Sequence, residues 1–347
     1  MSDKESVGVI GTGSFGTVVA NLLAENRHVY LYSRRKEFAE QAQNTRLIHQ
    51  QNLHKNITVV NDLALVAKEC FLLFPVIPSN NFKEVIRNMS SYLRPDHILI
   101  HGTKGLALKK KGKKRLQKKQ KIAREKVMTM SELIRRETSV VRVGCIAGPN
   151  LAKEMQQHLP AATVIASRFD EVIHEGQKAL KSSRFQVYAS YDIEGVELAG
   201  VLKNILAIGS GICSGLHLGE NARALLITKG LAEIIHLSKH LGAEEKSFLG
   251  LAGIGDIIAT CSSPTSRNYT VGFRLAKGEK IQDILSSMEE VAEGVNTIKI
   301  AHGLANHYKV NCPIIKTLYE GIYSGLSIEA GLEYLMGYRF SMDVEFI

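Results

Sequence analysis

The stretch Gly8–Lys36, GVIGTGSFGTVVANLLAENRHVYLYSRRK, decides how the first half of this chain folds. The apolar run Val7–Ile10 predicts a short strand, and Thr17–Ala24 predicts a helix close behind it. Between them Gly11, Gly13 and Gly16 stand in the spacing G-x-G-x-x-G. In such a turn the first glycine permits the tight bend and the second lets the backbone approach a pyrophosphate. The third lets the helix pack on the strand. The first amides of the helix and its dipole then face the diphosphate. A second apolar run, Val29–Tyr32, follows at βαβ distance, so the glycines sit in the context a dinucleotide site requires. An acidic residue at the end of that strand would bind a ribose 2′-hydroxyl, but here the chain reads Ser33-Arg34-Arg35. Guanidinium forks suit a 2′-phosphate instead. NADPH is therefore the expected cofactor, with NADH as a second possibility.

Working outward, the same alternation of apolar runs and helical stretches continues to about residue 193. Strands are predicted at Cys70–Val76, His97–His101, Val143–Ala147, Thr163–Ala166 and Phe185–Ala189. Near-continuous apolar strands separated by helices indicate a parallel sheet covered on both faces. Beyond Glu194 strand patterns nearly vanish and long helical runs take over. The expected fold class is α/β: a Rossmann-like, doubly wound N-terminal domain over 1–193, then an all-α domain over 194–347 that carries the substrate and the catalytic chemistry.

Composition bounds the remaining possibilities. The chain has 347 residues, 45% of them apolar, enough for two cored domains. It holds no uninterrupted apolar run of membrane-spanning length and opens without a signal-peptide pattern. The five cysteines lack metal-ligand spacing, which points to a reducing, cytoplasmic setting and to no bound metal. The formal charge of +10 is local. Lys109–Lys126 holds eleven Lys or Arg and one Glu, so the rest of the chain sums to zero. That insert, placed in the first domain, is expected to be solvated and mobile, an exposed segment without a partner or, as the sharper alternative, one with weak attraction to anionic membranes, and with no specific nucleic-acid target. It lacks the interleaved aromatics that stacking on bases would want.

Within GVELAGVLKNILAIG, apolar residues cover every side of the predicted helix, which marks it as buried. Lys203 interrupts it. A lysine there needs a partner or a cleft, and the small Ala199, Gly200 and Ala207 around it leave room for a substrate. Downstream, GIGDIIATCSSPTSRNYTVG places Asp256, Thr260, Ser266, Arg267 and Asn268 in one polar stretch. A carboxylate can hold and aim the lysine, and an arginine between Ser and Asn suits a phosphate dianion.

These residues resemble the NAD(P)-dependent glycerol-3-phosphate dehydrogenase family of bacteria. The likeness runs from Val7 to about Leu335 through GTGSFGT, PSN (Pro78–Asn80), TKG (Thr103–Gly105), GPNLAKE (Gly148–Glu154), ELAGVLKNILAI, GENARALLITKGLAE, GIGD, SRN and VAEGVNT. The resemblance implies reduction of dihydroxyacetone phosphate to sn-glycerol 3-phosphate, a feeder of glycerophospholipid synthesis, by a homodimer. It implies that Ser14, Phe15, Arg34, Arg35, Lys104, Ala152, Arg267, Val291 and Glu293 meet the cofactor, beside the glycines. Lys104, Gly148, Asn150, Lys203, Asp256, Ser266, Arg267 and Asn268 would surround the substrate, with Lys203 as the proton donor and acceptor. Phe15 stands where the family usually has Trp, and Asn150 where it usually has Ser or Thr. Two other readings compete: a dehydrogenase of β-hydroxy acids, and a non-catalytic NADPH sensor or RNA-binding protein using the insert. The phosphate-suited SRN argues against the first, and the Lys203, Asp256 and Arg267 constellation against the second.

Overall fold

The computed structural model describes residues 6–109 and 121–338. They form two compact units, one of residues up to 107 with 129–197, the other of 108–128 with 198 onward. The first unit thus includes the opening turn of the helix that begins at Ile193. The described return end of the basic insert, Lys121–Lys126, groups with the second unit.

The first unit is built on an eight-stranded sheet. Its strands are β1 (Ser6–Ile10), β2 (Val29–Tyr32), β3 (Ile57–Val60), β4 (Cys70–Pro75), β5 (Ile98–His101), β6 (Arg142–Ala147), β7 (Ala161–Ser167) and β8 (Phe185–Ser190). The order across the sheet is β8-β7-β6-β5-β4-β1-β2-β3. From β3 to β6 the strands are parallel, in the 3-2-1-4-5-6 arrangement of dinucleotide-binding folds. The sheet is not wholly parallel, however, because β7 runs antiparallel to β6. The link between them carries only a five-residue helix, Ala152–Gln156, too short to cross a sheet face. A full helix, Asp170–Leu180, restores parallel pairing between β7 and β8. Strand β3 is the one sheet strand without an expectation behind it. Its run, ITVV, is short and sits at the sheet edge.

Strand order reverses between β1 and β4, and the chain leaves β1 there into the glycine turn. Gly11 adopts φ +122°, and a Cβ at Gly11 or Gly16 would run into the backbone of Val76 or of Gly11. Helix α1 (Ser14–Ala24) then starts from Gly13, which has no side chain to cap it, so its first turn is presented to a ligand. Its apolar face, including Val18, Val19, Leu22 and Leu23, packs into the core under the sheet.

The second unit is helical. It contains most of α2 (Ile193–Gly215), then α3 (Gly219–Lys239), α4 (Asp256–Ser262), α5 (Arg267–Ala276), α6 (Glu293–Tyr308) and α7 (Pro313–Tyr323). By length and composition α2 could cross a bilayer, but 94% of its apolar window is buried inside the protein. Glu233 on α3 is also buried. It accepts from the amides of Ile314 (2.7 Å) and Ile315 (3.0 Å), so one helix supplies the N-terminal cap of α7 behind Pro313.

Burial pushes the Glu233 carboxyl up to about 8, against the lowering effect of those two amides. A raised value in the folded state means that unfolding releases a proton between the ordinary carboxylate range and pH 8. This contribution to stability is full below the ordinary range and fades as pH rises through about 8. Relative to Glu233→Gln, the wild type is expected to lose up to about 1.4 kcal/mol per pH unit over that window. Unfolding curves of both proteins from pH 5 to pH 9 check this, and parallel pH profiles would contradict it.

The basic insert is described only at its two ends, Lys109 and Lys121–Lys126; its middle, 110–120, lies outside the described residues. The expectation of a solvated segment throughout fails at the return end. The Lys109 amide bonds to the Lys126 carbonyl at 2.8 Å, and that of Ile122 to the Gly303 carbonyl at 2.9 Å. Ile122 is buried because Gly303 has no side chain to occupy the place it takes.

All five cysteines are free and buried. Burial pushes the thiols of Cys70 and Cys261 up to about 12 and those of Cys145, Cys213 and Cys312 up as well. Native protein is therefore expected to react at least about a hundredfold more slowly with Ellman's reagent than unfolded protein, because the thiolate is the nucleophile.

Candidate active site

The first unit carries the dinucleotide half of the chemistry. A cavity of about 170 Å³ lies at the reversal of strand order, lined by Gly11 and Thr12 after β1, Tyr32–Arg35 after β2, and Ile77, Pro78 and Asn81 after β4. Arg34 and Arg35 thus stand on the same cavity as the glycine turn. Asn61 holds their loop by donating to the carbonyls of Ser33 (2.6 Å) and Arg34 (2.8 Å). Arg35 also lies over the Phe38 ring at 5.0 Å, which leaves Arg34 the better placed for a phosphate. The concave lining, the uncapped helix start and the two cations fit a dinucleotide phosphate backbone.

Lys104 follows β5, and its Nζ reaches the Gly148 carbonyl at 3.5 Å, so two residues expected at the substrate are adjacent. Asn150 uses both ends of its amide locally. It donates to Ala162 (2.9 Å) and accepts from the Thr163 hydroxyl (2.9 Å), which pins the Gly148–Leu151 loop to β7. Phe15 and Ala152 are half-buried against the core, and Ser14 opens α1.

One buried cluster in this unit carried no expectation from the sequence. Nε2 of His101 lies 2.9 Å from Oε1 of Glu197, whose carboxylate also accepts from the Ser131 amide (3.0 Å) and hydroxyl. Burial pushes the Glu197 carboxyl up, but the His101 charge and the Ser131 donors outweigh it and hold it below the usual carboxylate range. Glu197 therefore fixes the end of β5, three residues before Lys104. Only a glutamate on an otherwise apolar helix hinted at it.

The second unit carries the lysine. The Lys203 side chain on α2 is 4% exposed and that of Asp256 is 2% exposed, with Nζ 2.9 Å from Oδ1. Lys203 also donates to the Thr260 hydroxyl, which donates to Asp256 Oδ1 at 3.1 Å. The three residues close a triangle. Asp256 and Thr260 sit one turn apart at i and i+4 on α4, so one helix face presents both to the ammonium. Ahead of α4, Leu251–Gly255 makes a π turn, in which a Cβ at Gly253 would strike the Phe248 carbonyl. That glycine-rich turn is what delivers Asp256 to a buried lysine.

Ser266 caps α5, accepting from the Tyr269 amide at 3.4 Å. Asn268 accepts from the Gly294 amide (2.9 Å), tying the start of α5 to the start of α6. Arg267 is half-exposed, donates to the Val291 carbonyl (3.1 Å) and pairs with Glu290 at 3.2 Å. Residues 266–268 are therefore grouped with Val291 and Glu293, the first residue of α6. Glu290, which carries no expectation from the sequence, engages one guanidinium nitrogen of Arg267. Among the described residues no group of three or more His, Cys, Asp or Glu is placed to hold a metal.

A Rossmann unit with a phosphate-binding turn, followed by a helical unit holding a buried lysine–carboxylate pair, defines a nicotinamide-dependent dehydrogenase. Residues 6–173 match the family described as NAD-dependent glycerol-3-phosphate dehydrogenase N-terminus, and 192–333 match the corresponding C-terminus. The chain is 38% identical to the glycerol-3-phosphate dehydrogenase [NAD(P)+] of Pseudomonas aeruginosa, over all of this chain and 98% of that one. It is 37% identical to that of Teredinibacter turnerae, over 99% and 98%. The solved glycerol-3-phosphate dehydrogenase of Coxiella burnetii superposes with a TM-score of 0.86 at 30% identity, over 97% of this chain and 100% of that one. This chain belongs to the NAD(P)-dependent glycerol-3-phosphate dehydrogenase family.

Proposed function

We propose that the protein interconverts dihydroxyacetone phosphate and sn-glycerol 3-phosphate with NADPH or NADH, supplying glycerol 3-phosphate for phospholipid headgroups. The observation that carries the mechanism is the Lys203–Asp256–Thr260 triangle. When bound, the nicotinamide supplies or accepts the hydride. As charge builds on the ketone oxygen, the Lys203 ammonium stabilises it and donates a proton; in the reverse direction it takes that proton back. Asp256 and Thr260 keep the ammonium charged and aimed. Arg267 releases Glu290 to grip the substrate phosphate, and Ser266, Asn268, Lys104, Gly148 and Asn150 frame the substrate. Gly11, Gly13, Ser14, Phe15, Gly16, Ala152, Val291 and Glu293 hold the dinucleotide with Arg34, Arg35, Lys104 and Arg267. The direct test is oxidation of NADPH or NADH by purified protein on adding dihydroxyacetone phosphate. Turnover with a β-hydroxy or β-keto acid alone would replace this reading.

Preference for NADPH is assigned to Arg34 and Arg35. Replacing both with Ala is expected to weaken NADPH by about 1.5–3 kcal/mol, the worth of hydrogen bonds to a charged group. NADH should change little, and an unchanged preference ratio in the double variant would contradict the assignment. A cytoplasmic homodimer completes the proposal: the five buried free thiols support the compartment, and the dimer rests on the family resemblance. The charge of Lys109–Lys126 supports weak attraction to anionic lipid, near the users of the product. Salt-sensitive binding to anionic vesicles that survives deletion of Lys109–Lys121 would dismiss that attraction.

A further inference from the structure

After the helix Lys36–Thr45 the chain makes a short hairpin, in which Leu47 pairs with Asn52 and Ile48 with Gln51. His49 and Gln50 alone make the turn between them, and both take left-handed backbone, φ 48° and 61°. Positive φ at both central residues is the tight turn that favours Asn-Gly, because a Cβ strains that backbone. Burial of Ile48 in the core fixes the register, and with it the residues that reach the tip. A His-Gln pair at such a tip costs stability, and strain held at one place points to a use for the side chain.

The contacts show that use. Nε2 of His49 lies 2.9 Å from the Thr12 carbonyl, and because a carbonyl only accepts, the imidazole donates. Thr12 stands between Gly11 and Gly13 in the glycine turn and lines the dinucleotide cavity. The base of the hairpin is tied as firmly. Asn21 on α1 donates to the Asn52 carbonyl (3.1 Å) and accepts from the His54 amide (2.8 Å). Arg46 donates to the carbonyls of His54 (2.6 Å) and Ile57 (2.8 Å). The hairpin thus reaches from the body of α1 to the turn that precedes it, and is held at both ends.

The Thr12 carbonyl and the Gly13 amide belong to one planar trans peptide. Drawing the carbonyl toward the hairpin turns the amide away from it. Gly13 has no Cβ to resist rotation of that peptide, and it is the residue from which α1 starts, where a diphosphate would sit. We propose that His49 is a positioning residue for the dinucleotide, holding the Thr12–Gly13 peptide in the orientation that receives the diphosphate. The turn is then set before the ligand arrives, and less ordering is left to be done on binding. This inference rests on the dinucleotide reading above.

Fluorescence titration of full-length wild type, His49→Gly and His49→Gln with NADPH and with NADH tests it, with melting temperatures and kcat measured alongside. His49→Gly removes the donor but also relieves the left-handed backbone, so it should melt no lower than the wild type. It is nonetheless expected to bind both dinucleotides about fivefold more weakly, the worth of one hydrogen bond. The ratio of the two affinities should not move, because the diphosphate is common to both, and kcat at saturation should stay within about twofold. His49→Gln keeps an N–H donor at similar reach and is expected to restore both affinities to within about twofold of the wild type. Wild-type affinity in His49→Gly, an equal loss in His49→Gln, or a loss confined to NADPH overturns the proposal. A His49→Gly protein that melts well below the wild type would make the contact a structural one and overturns it too. Failure of the wild type to bind either dinucleotide is failure of the dinucleotide reading itself; it shows before any variant is compared and takes this inference with it.

Discussion

Lys203→Ala is expected to turn over roughly 10²–10⁴-fold more slowly than the wild type, the usual worth of a positioned general acid, with dinucleotide affinity retained. The dinucleotide contacts proposed above do not include Lys203, so the loss should fall on kcat. The substitution has a second, separable consequence. It leaves the Asp256 carboxylate, 2% exposed, without its cation, and breaking one partner of a buried pair costs about 3–5 kcal/mol. Stability and catalysis must therefore be read on different variants. Pairing Lys203→Ala with Asp256→Ala removes the stranded charge and should recover much of the lost thermal stability while turnover stays low. Near-wild-type turnover in any folded protein lacking Lys203 would end the proposed mechanism. Fluorescence titration with NADPH, run beside the kinetics, checks that the remaining site is intact.

Removal of Arg267 should show itself in KM. Arg267→Ala is expected to raise KM for dihydroxyacetone phosphate by roughly 10–100-fold, corresponding to the loss of a hydrogen-bonded charge contact. Unphosphorylated dihydroxyacetone, a poor substrate from the outset, should be affected little, because it never had the contact to lose. The Glu290 pair adds a sign that a generic surface arginine would not give. On the proposed role of Arg267, Glu290 and the phosphate compete for one guanidinium, and Glu290→Gln should lower KM for the phosphorylated substrate. Equal effects of Arg267→Ala on both substrates would show that the arginine grips something else.

Much of this architecture is legible in the chain because its signals are local. Apolar strands such as Ile98–His101 are buried on both faces, as expected for the inner strands of a parallel sheet covered by helices. The glycine turn reads clearly because three glycines with fixed duties stand between a strand and a helix. Lys203 stands out as a charge on a helix with apolar residues on every side, and Asp256 as an acid after a glycine-rich turn. What could not be read is non-local. The reversal at β7 depends on the link being too short to cross the sheet. The tie between Asn268 and Gly294 spans 26 residues, and the His101–Glu197 contact joins elements far apart in sequence. Glu290 escaped notice because an acid beside another acid, Glu289, looks like an exposed loop until Arg267 is seen against it. Asn150 was set beside the substrate by resemblance alone, and its amide bonds to Ala162 and Thr163, 12 and 13 residues away.

The closure of the basic insert has an engineering consequence. Its departure at Lys109 is bonded to its return at Lys126, and Ile122 is plugged in opposite Gly303. Bond and plug hold the return of the loop independently of how many residues lie beyond them. The entropy of closing a loop grows only with the logarithm of its length, about 0.6 kcal/mol per doubling. Exchange of residues 110–120 for a peptide tag, a fluorophore-bearing sequence or a small folded module, with the anchor at Ile122 left in place, is expected to leave the fold intact, and an unchanged melting temperature checks this. The chain would then carry its own docking port for immobilisation, at a site chosen by the protein itself.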